Sequence, residues 1–132
     1  MASRQPMNIL IVEDDVFFQK FYSQKLQEAG FTVNVATDGD DAIVKAVKTK
    51  PDLIILDIIM PKKDGFEVLE DISKDSVLNK IPILVFSTLG QDNDVQKALK
   101  LGAVGYVNKT FFDFGNLKSK IEAAIQSKRL KN

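Results

Sequence analysis

Charged side chains stand directly after several apolar segments of this 132-residue chain. Glu13, Asp14 and Asp15 follow one such segment, Asp57 follows another and Lys109 follows a third. If these segments are parallel strands, their carboxyl ends share one edge of a sheet, which is where open α/β sheets bind ligands. Carboxylates that meet there repel each other, and one of them has its pKa raised unless a cation lies between them.

The acidic character of this edge indicates which ligand it takes. Nucleotide-binding sheets usually have glycines after the first strand, so that backbone amides approach the phosphate, whereas three carboxylates would repel it. A hard divalent ion removes both the repulsion among the carboxylates and their repulsion of phosphate. A site that offers only a few protein oxygens and leaves room for bound waters suits Mg²⁺ better than Ca²⁺. With Mg²⁺ bound, the edge can accept a phosphoryl group whose charge is shared between the metal and Lys109. Ser87 and Thr88, after a fourth apolar segment, add two hydroxyls.

Each of these residues, taken singly, also has a structural explanation. An acidic cluster before a helix can cap that helix, and a lone Asp, Ser or Lys is common in turns. Thr37 and Asp38, which follow the second strand, are best explained as turn and capping residues. Asp57 and Lys109 are single charges that close apolar strands, where chance rarely places them, so we expect a ligand site at this edge.

Missing residue types narrow the chemistry further. The chain has no His and no Cys, which excludes a Ser-His-Asp triad, a thiolate nucleophile, the usual kinds of zinc site and a phosphohistidine. Lys and Arg number 18 and Asp and Glu number 18. The zero formal net charge argues against a nucleic-acid partner and against a polybasic membrane binder.

The elements that must position these residues alternate along the chain. Short apolar runs alternate with segments of helical period, which is typical of repeated βα units and a parallel sheet. We predict an α/β fold with five strands, five helices and right-handed crossovers, so that helices cover both faces of a doubly wound sheet. The predicted strands are Asn8–Val12, Phe31–Ala36, Leu53–Leu56, Ile81–Phe86 and Gly105–Asn108.

Two strands and all five helices have informative patterns. Leu53–Leu56 is continuously apolar and is predicted to be buried on both faces, whereas Phe31–Ala36 alternates and suits a sheet edge. Helical spacing assigns a core face to each helix. The residues on these faces, helix by helix, are Phe18, Phe21, Tyr22, Leu26 and Ala29; Ala42, Ile43, Ala46 and Val47; Phe66, Leu69 and Ile72; Val95, Ala98 and Leu99; and Leu117, Ile121, Ala124 and Ile125.

The chain length corresponds to one domain. We expect a flexible N-terminal tail at 1–6, the domain at 7–127 and a C-terminal tail at 128–132. No apolar run approaches the roughly 20 residues of a membrane span, and the first residues lack the apolar stretch of a signal peptide. We therefore expect a cytoplasmic location and no membrane partner. The alternative to a stand-alone domain is one excised from a longer protein, with Lys128–Asn132 as the stub of a linker.

From about Asn8 to Ile125 the chain resembles the receiver domain of two-component response regulators, as found in chemotaxis receivers. The segments that carry this resemblance are Ile9–Asp15 (ILIVEDD), Leu56–Pro61 (LDIIMP) with Asp64 and Gly65, Pro82–Ser87 (PILVFS) and Gly105–Lys109 (GYVNK). Ordered motifs on four strands of one small domain are a specific signal. The resemblance implies a flavodoxin-like (βα)5 sheet with strand order 2-1-3-4-5.

The resemblance also implies a role for each acidic residue of the edge. Asp57 matches the phosphoryl acceptor of the family, that is, its phosphorylation site. A carboxylate is a weak nucleophile, so the reaction depends on alignment and on charge stabilisation. Asp14 matches a direct Mg²⁺ ligand, together with Asp57 and the backbone carbonyl of Ile59. Glu13 is expected to act on the metal through a water. Asp15 matches no site residue of the family and is expected to be a helix cap.

Three further residues match the family's signalling machinery. Ser87 and Lys109 are each expected to contact a phosphoryl oxygen, and Tyr106 matches the aromatic switch residue that turns inward when the hydroxyl moves. The new charge is then expected to change the face formed by the fourth helix, fifth strand and fifth helix, which a downstream protein partner binds. Since the chain has no His, the donor must be a histidine kinase or phosphotransfer protein acting in trans. We expect slow autodephosphorylation only, and no enzyme activity.

The chain departs from the family at two places. The family usually has a cis proline after the conserved lysine, whereas Thr110 stands here, and we predict a trans Lys109–Thr110 peptide because a cis bond to a non-proline costs about 2.5–4 kcal/mol. The loop that follows is one residue longer than usual, with three Phe that we interpret as core contacts. Ile59 and Leu89 flank the phosphoryl position and cannot orient a water, so we predict slow hydrolysis of the aspartyl phosphate.

Two other functions compete with the phosphorylated receiver. A pseudo-receiver would use the same fold only as a protein-binding scaffold, and Thr110 keeps that alternative open. A Mg²⁺-dependent phosphatase of the haloacid dehalogenase type also combines an Asp nucleophile, a hydroxyl, a Lys and acidic ligands. That family has a second Asp two residues after its nucleophile, and here Ile59 occupies this position.

Overall fold

A computed structural model describes residues 6–88, 91–109 and 114–131, with the backbone alone at 114 and 129–131. Strands and helices alternate along these residues, and two short 3-10 turns, Leu78–Lys80 and Phe114–Asn116, join them. The strands are β1 (Asn8–Val12), β2 (Thr32–Ala36), β3 (Leu53–Leu56), β4 (Ile83–Ser87) and β5 (Gly105–Asn108). The helices are α1 (Val16–Glu28), α2 (Gly39–Thr49), α3 (Gly65–Lys74), α4 (Asp92–Lys100) and α5 (Leu117–Lys131).

The five strands form one parallel sheet in the order β2-β1-β3-β4-β5. This confirms the predicted doubly wound α/β fold and the strand order that the resemblance implied. β2 lies at an edge, as its alternating pattern predicted, and every residue of the apolar β3 is buried. The strand order reverses between β1 and β3, so a crevice opens at their carboxyl ends.

Helices pack on both faces of the sheet because β1 sends alternate side chains to opposite sides. Leu10 and Val12 face a core shared with α2, α3 and α4, whereas Ile9 and Ile11 face a core shared with α1 and α5. The four predicted core residues of α5 are all buried. Among the described residues, no helix combines the length and the apolar character needed to cross a membrane.

Several details differ from the sequence-based expectations, and one is that β2 begins at Thr32 instead of Phe31. Val47 is 58% exposed and Leu99 is 40% exposed, so each lies at the margin of its helix's core face. β4 begins at Ile83 instead of Ile81, since Pro82 has no N–H to donate to the sheet ladder. Ser87 is the last residue of β4 and does not follow it.

The predicted N-terminal tail lies almost entirely outside the described residues, whereas most of the predicted C-terminal tail is described. Residues 1–5 and 132 lie outside the described residues, so the predicted flexibility of the N-terminal tail stays a prediction. The backbone of α5 continues to Lys131, beyond the predicted domain end at 127.

Aspartates begin the helices next to the carboxyl edge of the sheet. The Asp15 carboxylate accepts hydrogen bonds from the backbone N–H groups of Phe17 and Phe18, which confirms Asp15 as a helix cap. Asp38 caps α2 in the same way, and Asp64 caps α3. Each carboxylate satisfies backbone donors that have no partner within the helix, so the starts of α1, α2 and α3 are fixed around the crevice.

Candidate functional site

The backbone ladder of the sheet continues past the strand ends and brings the predicted site residues together. The Glu13 amide donates to the Ala36 carbonyl at 3.0 Å, and the Asp57 amide donates to the Val12 carbonyl at 3.0 Å. The Lys109 amide donates to the Ser87 carbonyl at 3.1 Å. Three residues that are far apart in the chain therefore start from fixed positions along one edge.

Their side chains meet in a buried ionic cluster. The Lys109 Nζ lies 2.8 Å from Glu13 Oε1 and 3.4 Å from Asp57 Oδ2. Glu13 is 3% exposed and Asp57 is 5% exposed. One ammonium thus faces two carboxylates with little water around them, and the cluster keeps an excess of negative charge.

The pKa of Glu13 reports this crowding. Burial raises the pKa of Glu13 from an ordinary value of 4.5 to about 7, and the negative charge of Asp57 adds to the effect, while the hydrogen bond from Lys109 opposes it. A cation placed among these carboxylates would favour their charged forms, so the site is electrostatically prepared for one.

The donor set fits a hard divalent cation. Glu13, Asp14 and Asp57 each offer a carboxylate oxygen, and these oxygens lie within 4.8 Å of one another. Asp14 is exposed, so the cluster is open to water on one side. Mg²⁺ prefers a site that offers a few protein oxygens and leaves room for bound waters. The predicted action of Glu13 on the metal through a water stays a prediction.

Ile59 lies at the mouth of the same depression. This open depression of about 450 Å³ is lined by Glu13, Asp14, Asp15, Phe18, Asp57, Ile59, Thr88 and Lys109. The Ile59 amide points to Asp57 Oδ1 at 3.4 Å, and its side chain is 53% exposed. The predicted use of the Ile59 carbonyl as a metal ligand stays a prediction. Thr88 lines the depression, whereas Ser87 is fully buried and is not among the lining residues.

Ser87 and Tyr106, for which a switch role is predicted, lie on the neighbouring strands β4 and β5. Burial raises the pKa of Tyr106, and a hydrogen bond between its side chain and that of Ser87 opposes this rise. β4 and β5 pair directly, with Val85 opposite Tyr106 and Ser87 opposite Asn108. The two side chains therefore contact each other across neighbouring strands.

Phe18 is a site residue that the sequence interpretation missed, because its helical spacing assigned it only to the core. Its ring lies 4.4 Å from the Lys109 Nζ, the geometry of a cation–π contact, and stacks on Tyr22 with ring centroids 5.6 Å apart. The Lys109 ammonium thus contacts an aromatic ring as well as two carboxylates. The available sequence signal for a site role of Phe18 was its position one turn after the Asp15 cap, close in the chain to the acidic cluster.

We expect Phe18 and Lys109 to be energetically coupled. A double-mutant cycle of Phe18→Leu and Lys109→Met should give a coupling of about 0.5–1 kcal/mol in urea unfolding, because leucine keeps the apolar packing but loses the π face. Phe17→Leu is the matched control, since Phe17 is 67% exposed on the same helix. Equal coupling of Phe17 and Phe18 to Lys109 would contradict a specific contact.

The metal-free protein is expected to lose stability as the pH rises from about 4.5 to about 7. In this range the folded state keeps the Glu13 proton that the unfolded state has already released, so folding binds a proton and becomes less favourable with rising pH. Urea unfolding in EDTA at pH 5 and pH 8 measures the effect. Glu13→Gln should flatten this dependence and be the more stable protein at pH 8. The same pH dependence in both proteins would contradict the assignment.

Several predictions fall on residues outside the described ones. These are the trans peptide between Lys109 and Thr110, the apolar flank at Leu89 and the core contacts of Phe111 and Phe112. The side chain of Phe114 is outside them as well.

Comparisons with known proteins show which sequences and structures the chain is similar to. A family model described as the response regulator receiver domain matches residues 9–122. The chain is 40% identical over 104 residues to a probable transcriptional regulator, ycf29, of Porphyra purpurea, covering 79% of this chain and 50% of that protein. It is 36% identical over 118 residues to the DNA-binding dual master transcriptional regulator RpaA of Synechocystis, covering 89% and 48%. The chain thus spans about half the length of these relatives.

Solved structures with the same fold are similar along nearly their whole length. The chemotaxis protein CheY4 of Vibrio cholerae has a TM-score of 0.84 and 31% sequence identity, covering 91% of this chain and 99% of that one. The BeF3-activated N-terminal receiver domain of Klebsiella pneumoniae RstA has a TM-score of 0.81 and 28% identity, covering 89% and 97%.

Proposed function

The chain belongs to the response regulator receiver domain family of two-component signalling, and from this membership we propose that Asp57 accepts a phosphoryl group in a Mg²⁺-dependent reaction. The observation that carries the proposal is the position of the Asp57 carboxylate. It lies 3.4 Å from the Lys109 ammonium and within one cluster with the Glu13 and Asp14 carboxylates. A single carboxylate is thereby held between a cation and a set of oxygen ligands for a metal.

The proposed reaction is a transfer between two proteins. An oxygen of Asp57 attacks the phosphorus of a phosphohistidine, the new O–P bond forms, the P–N bond breaks and the imidazole of the donor leaves. Because this chain has no His, the donor is a histidine kinase or a phosphotransfer protein. A carboxylate is a weak nucleophile, so the rate depends on alignment and on stabilising the phosphoryl charge.

The metal would be held by Glu13, Asp14 and Asp57, with the Ile59 carbonyl as a further ligand. When bound, Mg²⁺ neutralises charge on the phosphoryl oxygens. Lys109 is already directed at Asp57 by its contacts with Glu13 and the Phe18 ring. It can therefore pair with a phosphoryl oxygen without a large movement of its own.

We propose that the signal leaves the site through Ser87 and Tyr106. A phosphoryl oxygen that accepts a hydrogen bond from Ser87 competes with the Ser87–Tyr106 interaction. The resulting change in the face of α4, β5 and α5 alters its affinity for a downstream protein partner. In this proposal the chain is a phosphoryl acceptor in the cytoplasm and not an enzyme with a turnover substrate.

The relatives give a broader context for the output. Several of them are named as transcriptional regulators, and this chain corresponds to about half of their length. The prediction that this domain itself contacts no nucleic acid stays a prediction.

Incubation with acetyl phosphate and Mg²⁺, followed by intact mass measurement, tests the proposal. We expect the mass of one phosphoryl group to be added, and we expect EDTA to prevent the addition. No addition from either acetyl phosphate or a phosphorylated phosphotransfer protein would contradict it and favour the scaffold alternative. Sustained release of phosphate from a small phosphoester would instead support the phosphatase alternative.

A further inference from the structure

The start of α2 is pressed against the loop that follows β3. A Cβ atom added to Gly39 would lie 2.3 Å from the carbonyl oxygen of Lys63 and 2.5 Å from the Lys63 Cβ. Real Cβ atoms essentially never make contacts under 3.0 Å. The two backbones can therefore approach this closely only because residue 39 has no side chain.

Charged groups on both sides of Gly39 continue this contact. The Lys62 Nζ lies 3.4 Å from Asp38 Oδ2, and the Lys63 Nζ lies 4.0 Å from Asp40 Oδ1. The Lys63 ammonium also pairs with the carboxylate of Asp71 on α3. Exposed pairs of this kind each contribute little. Together with the close approach at Gly39, however, they connect the middle of the loop to α2 and α3.

The end of the same loop is fixed against the phosphoryl acceptor. The Gly65 amide donates to the Ile58 carbonyl at 2.9 Å. A Cβ atom added to Gly65 would lie 2.5 Å from the Asp57 carbonyl oxygen. The residues between these two contacts include Ile59, whose amide lies 3.4 Å from Asp57 Oδ1. The placement of the loop thus affects the position of Ile59, whose amide contacts the Asp57 carboxylate, while the Asp57 backbone is held by the Val12 carbonyl.

We propose that Gly39 and Lys63 form a positioning contact that sets the cation affinity of the Glu13, Asp14 and Asp57 cluster. The proposal rests on the Mg²⁺ site of the proposed function. Mg²⁺ demands near-ideal octahedral geometry, so a displaced loop weakens binding without removing a ligand. Residues that support metal ligands from outside typically change metal affinity by 10–100-fold when they are mutated. Gly39→Ala, which must push Lys63 away, should weaken Mg²⁺ binding by about tenfold or more.

Isothermal titration with MgCl₂, without any phosphoryl donor, measures this affinity directly. Gly30→Ala is the matched control, because Gly30 has φ +99° at the end of α1 and an added Cβ there would meet nothing within 4 Å. Both variants lose stability, one by steric contact and the other by backbone strain. We expect only Gly39→Ala to lose Mg²⁺ affinity, and we expect the amide NMR signals of Asp57 and Ile59 to shift in that variant alone.

Lys63→Ala provides a second test of the positioning role, because it removes surface ion pairs of the same loop. It removes the contacts with Asp40 and Asp71 and should weaken Mg²⁺ binding by about twofold, as expected for surface pairs. If Gly39→Ala does not fold, unchanged Mg²⁺ affinity in Lys63→Ala overturns the positioning role, because the Lys63 ammonium also connects this loop to α2 and α3. Unchanged Mg²⁺ affinity in a folded Gly39→Ala, or an equal loss in Gly30→Ala, would overturn the positioning role alone. Absence of Mg²⁺ binding by the unchanged protein would overturn the proposed metal site and this inference with it.

Discussion

Asp57→Asn is expected to abolish the phosphoryl addition while leaving the fold intact. The amide has no oxygen with the nucleophilic character of a carboxylate, and it also removes one anionic ligand from the cation site. Stability should be maintained or increased, because the substitution removes one of two carboxylates that are buried side by side. The negative charge of Asp57 is one of the causes that raise the pKa of Glu13, which shows that the two carboxylates repel each other. Intact mass after treatment with acetyl phosphate and Mg²⁺ measures the loss.

Asp92→Asn is the matched control for this substitution. Asp92 is an exposed acidic residue at the start of α4 and lies outside the depression at the sheet edge. The control should gain one phosphoryl group like the unchanged protein. A gain of the same mass at the same rate by Asp57→Asn would contradict the assignment of the acceptor.

Lys109→Ala is expected to lower the free energy of unfolding by about 3–5 kcal/mol at pH 8 in EDTA, the range found when one member of a buried ion pair is removed. The substitution leaves Glu13 and Asp57 facing each other without the ammonium that contacts both. The penalty should shrink below pH 6, where Glu13 is protonated, and it should shrink when Mg²⁺ is added. Some phosphorylation should remain, but its conformational effect on Tyr106 should weaken.

Urea unfolding of Lys109→Ala beside Lys120→Ala measures this effect. Lys120 is exposed on α5, so its loss should change stability by no more than about 0.5 kcal/mol. A loss under about 1 kcal/mol for Lys109→Ala would show that the buried cluster does not depend on this cation.

The sheet was predictable because its strands differ in pattern. The uninterrupted apolar run Leu53–Leu56 predicted burial on both faces, and β3 is buried throughout. The alternation in Phe31–Ala36 predicted a strand at the sheet edge, where β2 lies. The convergence of Glu13, Asp57 and Lys109 followed from the rule that parallel strands share their carboxyl edge. These inferences need only local patterns and one topological rule.

Other features depend on contacts between segments that no local pattern specifies. Helical spacing placed Phe18 on a core face, but only the three-dimensional packing brings its ring over Lys109. Val47 satisfied the same spacing but lies at the margin of the core face of α2 and is exposed. The close approach of Gly39 to Lys63 joins the start of α2 to a loop that is distant in the chain, so the sequence offers no direct signal for it.

The most direct test of the account is to identify the residue that carries the phosphoryl group. Borohydride reduces an aspartyl phosphate to homoserine, and the modified residue can be located by mass spectrometry of peptides. After phosphorylation by acetyl phosphate with Mg²⁺, we expect homoserine at position 57 and at no other aspartate. Homoserine at another position, or a stable phosphoester on a serine or threonine, would contradict the central claim.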